Sequence, residues 1–484
     1  MAYPAVLWVL GWALLAFSIA MLVPAFVGLG YGEFNLAQTF VVAAGITAFI
    51  GGALTIATKG TSSLVSRREG FLLAVLIWSV IPVFGALPFY FGEIGLTATD
   101  AYFESVSALT TTGATVVSDL DNAAKAILLW RSLMQWIGGL GVIILAIGLL
   151  SLHELGGTQL YRRALPLGEY DSLPIRLKSS VAALWWIYAS LTVLCAVMLW
   201  VVEIPAFEAV CIAFSTLSTG GFTTRDGSIA AFDNPIAELI LIVFMLAAAV
   251  NFTLHWAAAH GRWRFYREDP EIKGVFIVVA VSVAILMILM AFLSEEQVVD
   301  SLRSTLFLAV SFITTTGYTG SNATILWATF VPVLLFALML VGGSTGSTAG
   351  GLKIMRFSLL FKEAWSELAR LSHPHVITKV RYGQYTVTDE AIRATWSYFI
   401  FFMFFLIAIM LALAASGLDI RFALTASAAA LSNTGPALDL VSGMNASYSS
   451  FTDLSKWVLC LAMIVGRLEL LAFVVLVRLI AWHR

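Results

Sequence analysis

Leu-Thr-Thr-Thr-Gly at 109–113 returns three times in altered form, as Leu-Ser-Thr-Gly-Gly at 217–221, Ile-Thr-Thr-Thr-Gly at 313–317 and Leu-Ser-Asn-Thr-Gly at 431–435. From each opening apolar residue to the next the intervals are 108, 96 and 118 residues, too even for chance and too long for a soluble solenoid. Each interval holds two apolar stretches long enough to cross a bilayer and a shorter helix-like stretch just before the motif. One chain would build a fourfold pore in this way.

Working outward, composition sets the same scene. The 484 residues are 60% hydrophobic and 12% charged, with mean hydropathy +0.93, values foreign to a soluble chain. A net charge of −2 with no basic stripe excludes nucleic acid as a partner. Cys195, Cys211 and Cys460 lie far apart in apolar surroundings and read as core residues rather than metal ligands or disulfides. No Lys or Arg precedes Lys59, so the first apolar stretch reads as a retained helix rather than a cleaved leader.

Ten spans are expected near 5–29, 36–57, 70–90, 125–150, 180–202, 235–258, 273–293, 325–355, 392–416 and 453–481, with short pore helices near 100–109, 206–217, 301–313 and 420–431. Asp100 and Ser301 are the expected N-caps of the first and third short helices. The fold class is therefore an all-α polytopic membrane protein. It has four helix, pore-helix, filter-loop, helix repeats around one pore, plus two additional N-terminal transmembrane helices. The divisions fall at 1–65 for the N-terminal pair and at 66–155, 156–262, 263–385 and 386–484 for the repeats.

Most of the 27 Lys and Arg residues fall in the loops at 59–69, 151–178, 259–273 and 353–393 and at the C-terminus, which the positive-inside rule makes cytoplasmic together with both termini. Lys125, Arg131, Arg225, Arg303, Arg421 and Lys456 fall on the outer side. Acidic residues lean outward, among them Glu104, Asp119, Asp121, Asp226, Asp233, Glu295, Glu296, Asp300, Asp439 and Asp453. Such an outer mouth would concentrate cations.

Non-helical backbone at membrane depth is tolerated only inside protein or along a watery cavity, so four such loops converging on one axis would line a pore. Their carbonyls can replace the hydration shell of a monovalent cation, and glycine permits the positive φ that aims them inward. Two further features stand out. Gly-Gly-Ser-Thr-Gly-Ser-Thr-Ala-Gly-Gly at 342–351 interrupts an apolar span and should form a loop, since each glycine costs a helix about 1 kcal/mol. Lys353 does not follow its last glycine directly, which sets a phosphate-cradling reading aside. Arg467 lies deep in the last span, where an unpaired arginine costs about 2.5–3.5 kcal/mol. Pairing with Glu469 is poor because residues two apart do not share a helix face, which leaves loop carbonyls or the pore for its charge.

These motifs resemble the Trk/Ktr/HKT superfamily of potassium transporters, over residues 65–484 for the four repeats and over 5–57 for the appended pair. The resemblance implies potassium as the transported and bound ion. It places coordination at Thr111, Thr112, Gly113, Thr219, Gly220, Gly221, Thr315, Thr316, Gly317, Asn433, Thr434 and Gly435. Gly113 argues for potassium, since a serine at the first filter glycine goes with sodium transport in the plant branch. The gate would be Gly343, Ser344, Gly346, Thr348, Gly350 and Gly351 of the intramembrane loop, with Arg467. It also implies a homodimer in the lipid of a bacterial inner membrane. Its cytosolic partner would be a ring of TrkA-like subunits binding nucleotide, NAD(H) or ATP/ADP, and docking on the cytoplasmic loop 357–391.

No enzyme is expected. The six histidines form no metal spacing, no nucleotide-binding glycine pattern sits between strand and helix, and no organic cofactor is called for in this chain. The alternative is a sodium- or proton-coupled symporter with inverted repeats. Here all four motifs follow an outward span and precede an inward one, which favours a channel-like pore, although coupled members of the superfamily keep symport open.

Overall fold

The computed structural model describes residues 3–60, 67–152, 173–293, 298–320, 330–373, 379–383, 385–435 and 447–468. Two long apolar helices, α1 (Tyr3–Tyr31) and α2 (Phe34–Ala57), form an N-terminal hairpin. It packs closely because Gly11 and Gly51 face one another, and a Cβ on Gly11 would lie 2.9 Å from the Gly51 carbonyl oxygen. Their outer faces expose Trp12, Ile19, Phe26 and Phe49, an apolar surface suited to lipid.

Four sets of a long helix, a short helix and a following helix come next. The first is α3 (Arg67–Gly85) with its short continuation α4 (Leu87–Phe91), then α5 (Ala98–Leu109) and α6 (Lys125–Leu152). The second is α7 (Leu173–Val201), α8 (Ala206–Leu217) and the pair α9 (Pro235–Ala249) and α10 (Phe252–Ala259). After the amphipathic turn α11 (Trp263–Glu268) the third comprises α12 (Pro270–Leu293), α13 (Val298–Ile313) and α14 (Val331–Val341). Then come α15 (Ile354–Ser372) and a two-residue hairpin, β1 (Arg381–Tyr382) with β2 (Tyr385–Thr386), in which Tyr382 pairs with Tyr385. The fourth set is α16 (Asp389–Ala415), α17 (Ile420–Ser432) and α18 (Asp453–Arg467).

The helix after each Thr/Gly motif packs on the short helix of the next set: α6 on α8, α9 on α13, α14 on α17, and α18 back on α5. The last contact closes the ring. Glu33, in the turn between α1 and α2, docks the N-terminal hairpin on it. Its carboxylate accepts from the backbone N–H of Lys125 at 2.7 Å and of Ala126 at 3.1 Å, capping the exposed amides of α6.

Several expectations need correction. Thr97, not Asp100, caps α5, because its hydroxyl accepts the Asp100 N–H, and Ser301 lies inside the first turn of α13. The expected span 235–258 is broken by a bend of 102° between α9 and α10. Asn251 starts the second piece, its side chain accepting from Thr253 N at 2.8 Å. Among the described residues seven helices are long and apolar enough to span, or eight with the bent pair. Of the other two expected spans, 325–355 is interrupted by the loop at 342–351, and 453–481 runs into residues 469–484, which lie outside the described residues. The stretch 357–391 is not simply a loop, since it holds helix and hairpin. Its first part, residues 357–372, belongs to α15, whose Lys362 holds the Arg381 carbonyl of the hairpin at 3.0 Å. The three cysteines are buried and free, as read from their surroundings.

Candidate functional site

At each Thr/Gly motif the short helix ends in the same way. The second residue, Thr111, Thr219, Thr315 or Asn433, is left-handed, with φ of 53°, 54°, 58° and 52°. The third residue then donates its N–H back five residues, Thr112 to Ser107, Gly220 to Ser215, Thr316 to Ser311 and Thr434 to Ala429, at 2.9, 2.8, 2.9 and 2.9 Å. This double-turn cap normally uses glycine, and a β-branched residue in it costs about 1–3 kcal/mol. Gly113, Gly221 and Gly317 return to positive φ, at 85°, 80° and 82°. Alternating the hand of successive residues turns successive carbonyls to one side. In the first three strands the motif glycines therefore supply only half of the alternation and threonine supplies the rest, a role the sequence reading missed, while in the fourth Asn433 alone is left-handed.

The strands lie against one another. A Cβ on Gly113 would run into the Gly220 carbonyl oxygen, and one on Gly435 would lie 2.6 Å from the Thr112 carbonyl oxygen. Asn433 Nδ2 donates to Thr112 Oγ1 and to the Met463 carbonyl, both at 3.0 Å, tying the fourth strand to the first. Tyr318 crosses from the third strand to α8, its hydroxyl 3.3 Å from both the Ile212 carbonyl and Thr216 Oγ1.

Glu104 and Arg131 do not face an outer mouth. They are 0% and 1% exposed and form an ion pair of 2.7 Å behind the first strand. Arg131 also reaches the Thr223 carbonyl at 3.3 Å and stacks over Phe222 at 4.1 Å, while Glu104 accepts from Val116 N at 3.0 Å. Most other outer cations are likewise taken up: Arg225 by Glu208 and Asp121, Arg303 by Glu238, Arg421 by Asp419, Lys456 by Asp100, and Lys125 over the Phe207 ring. Of the ten acidic residues named as leaning outward, Glu104 and Asp121 are thus paired with cations. Glu295, Glu296 and Asp439 and the Asp300 side chain lie outside the described residues.

Residues 342–353 are non-helical and buried, wedged against three of the four motifs. Gly350 N donates to Thr315 Oγ1 at 2.7 Å, Gly351 N to the Ser432 carbonyl at 3.1 Å, and Thr348 Oγ1 to the Leu217 carbonyl at 3.0 Å. The bend after α9 frees carbonyls that the loop consumes: Ser344 N donates to Ala249 at 2.9 Å and Thr348 N to Ala248 at 3.3 Å. Glu271 of α12, wholly buried, accepts the Thr345 N–H at 2.6 Å, and Asn251 Nδ2 donates to the Thr345 carbonyl at 3.0 Å. Asp269 caps α12 beside it through the N–H groups of Glu271 and Ile272, and burial raises its carboxyl above the usual range.

Arg467, 4% exposed at the end of α18, donates through Nη1 to the Thr348 carbonyl at 2.9 Å. The structure thus brings together the loop and the arginine, which the sequence offered as separate features. Gly343, Ser344, Gly346, Thr348, Gly350 and Gly351 all lie in this loop. Lys353, counted among the cytoplasmic charges, is buried with its Nζ on the Ala349 carbonyl. Glu271 was missed: it falls in the charged stretch 259–273 ahead of the expected span, where no motif singles it out.

Four short helices, each ending in a left-handed turn that leads into a buried strand of a closed ring, define a polytopic membrane protein of the pore-loop type. A family model described as "TrkH: Cation transport protein" matches residues 36–481. The chain is 37% identical to the Trk system potassium uptake protein TrkH of Vibrio parahaemolyticus over 100% of both chains, and 35% identical to TrkG of Escherichia coli over 98% of this chain and 97% of that one. The crystal structure of the potassium transporter TrkH from Vibrio parahaemolyticus superposes with a TM-score of 0.89 at 35% identity, covering 98% of each chain. The chain belongs to the TrkH family of cation transport proteins.

Proposed function

We propose that this protein takes potassium into the cell across the bacterial inner membrane, along the axis enclosed by the four strands. The ion would sit among carbonyls of residues 111–113, 219–221, 315–317 and 433–435, which replace its hydration shell. The observation that carries this reading is the fourfold left-handed turn at Thr111, Thr219, Thr315 and Asn433 inside a ring closed by α18 on α5. The loop 342–351, held by Arg467 and Glu271, is the gate: docked, it obstructs the path, and released, it opens it. Both termini and α15 face the cytoplasm, and a homodimer with a nucleotide-binding TrkA-like ring on that face would bias the loop. Repeat boundaries at 65/66, 155/156, 262/263 and 385/386 fit this arrangement.

The test is the reversal potential of the purified chain in planar bilayers with potassium on one side and sodium on the other. A shift toward the potassium equilibrium potential is expected. A reversal near zero would mean a non-selective path, and uptake driven by sodium or protons without current would mean a coupled symporter.

A further inference from the structure

Three of the four strands are braced by a pair of their own hydroxyls. Thr110 lies 2.8 Å from Thr112, Thr314 lies 2.9 Å from Thr316, and Ser432 lies 3.2 Å from Thr434, oxygen to oxygen. The first hydroxyl of each pair donates backward, to the Val106, Val310 or Ala428 carbonyl, so the second is the donor within the pair. The strand is thereby tied to its short helix.

In the second strand Ser218 makes the same backward bond, to the Phe214 carbonyl at 2.8 Å, but Gly220 has no hydroxyl to offer. A side chain from the neighbouring set stands in its place. Gln135 of α6, wholly buried, donates through Nε2 to the Gly220 carbonyl at 2.8 Å and accepts the Phe222 N–H at Oε1, 3.3 Å away. A Cβ on Gly220 would overlap this amide, so threonine and Gln135 exclude each other. The same Gly220 carbonyl abuts Gly113 of the first strand.

We infer that Gln135 is a positioning residue that sets ion specificity at the second strand, substituting from the adjacent set for the missing threonine. The inference rests on the reading of the four strands as a selectivity filter. It makes the residues at 135 and 220 a matched pair and explains why one motif alone reads Gly-Gly. Without the amide, the Gly220 carbonyl and the Phe222 N–H lose their fixed partner, and the spacing between the first and second strands is no longer set. Discrimination that depends on the number and placement of carbonyls then falls, while conduction persists.

The experiment is the potassium-to-sodium permeability ratio of the reconstituted full chain, alongside its thermal unfolding in detergent. Gln135→Ala should lower the ratio about tenfold, as expected for a buried carbonyl robbed of its donor. Gln135→Glu, which keeps the shape but cannot donate to Gly220, should do the same, and it covers the case in which Gln135→Ala fails to fold. Gly220→Thr alone should abolish flux by colliding with Gln135. The double variant Gln135→Ala with Gly220→Thr should recover the ratio to within about threefold of the parent, a coupling that independent sites do not show. Folded Gln135 variants with an unchanged ratio, or a double variant no better than its worse single, overturn the inference. Gly113→Ser serves as the control: if it too leaves the ratio unchanged, the filter reading itself falls, and if it lowers the ratio while Gln135→Ala does not, only the role of Gln135 falls.

Discussion

α6 and α14 both follow a Thr/Gly strand, and the step from Gly113 to Gly138 equals the step from Gly317 to Gly342. At that shared register α6 carries Gly138-Gly139 and runs on as a helix to Leu152, whereas α14 carries Gly342-Gly343 and stops at Val341. Glycine is therefore not what ends α14. In α6 the glycines serve close packing: a Cβ on Gly138 would collide with the Leu109 carbonyl, and one on Gly139 would sit 2.6 Å from the Tyr188 hydroxyl. After Gly342 come Ser344, Thr345, Ser347 and Thr348, side chains that compete for local backbone groups, as Ser347 does in donating to the Ser344 carbonyl at 2.6 Å. Outside partners complete the change, since Ala249, Glu271, Thr315 and Ser432 take the N–H groups a helix would have used. A span opens where non-helical partners are waiting for its backbone.

The contrast predicts different failures in the two segments. Gly138→Ala should be the most damaging change, costing at least about 3 kcal/mol by forcing α6 off α5, and should appear as lost expression or a lowered melting temperature in detergent. A stable variant would show that α6 is not held by that contact. Arg467→Ala, by contrast, should leave folding intact and raise rubidium flux into proteoliposomes by about 50-fold, through loss of a charge-assisted bond to the Thr348 carbonyl. Unchanged or lower flux in the folded variant would remove Arg467 from the gate.

Gly342→Ala tests the shared register directly. At φ 72° an alanine costs about 1–2 kcal/mol, and its Cβ would run into the Gly350 carbonyl oxygen as well, so the docked loop should be displaced and flux rise at least about tenfold, with a smaller fall in melting temperature than in Gly138→Ala. A fall in melting temperature like that of Gly138→Ala would mean that the two glycine pairs do the same work. The smallest effect is expected from Glu271→Ala, which leaves the Thr345 N–H without its acceptor and should raise flux about fivefold. Lower flux would point to Glu271 as part of the path and not of the latch.

Much of this was legible from residues alone because it recurs. Thr110–Gly113 is a weak signal once and a strong one in four copies, each following an apolar stretch too short to span. The ends of α5, α8, α13 and α17 fall close to where that pattern puts them. Asn251 shows the limit. Its N-cap chemistry was present in the sequence, yet an unbroken apolar run from Leu239 to Val250 concealed the bend. Gln135 carries no period and no motif, so nothing nearby in sequence could connect it with Gly220.

The sequence by itself determined the membrane setting, the helical class, the four strand positions and the polar, glycine-rich run at 342–351, because hydropathy, length and residue type act locally. Only the tertiary structure decided that α18 closes the ring on α5, that Glu104 and Arg131 neutralise each other, that Arg467 meets the Thr348 carbonyl, and that Gln135 replaces a threonine in another set. Each of these is a partnership between groups remote in the chain. Burial imposes it, since a polar group out of water must find its partner wherever the fold supplies one.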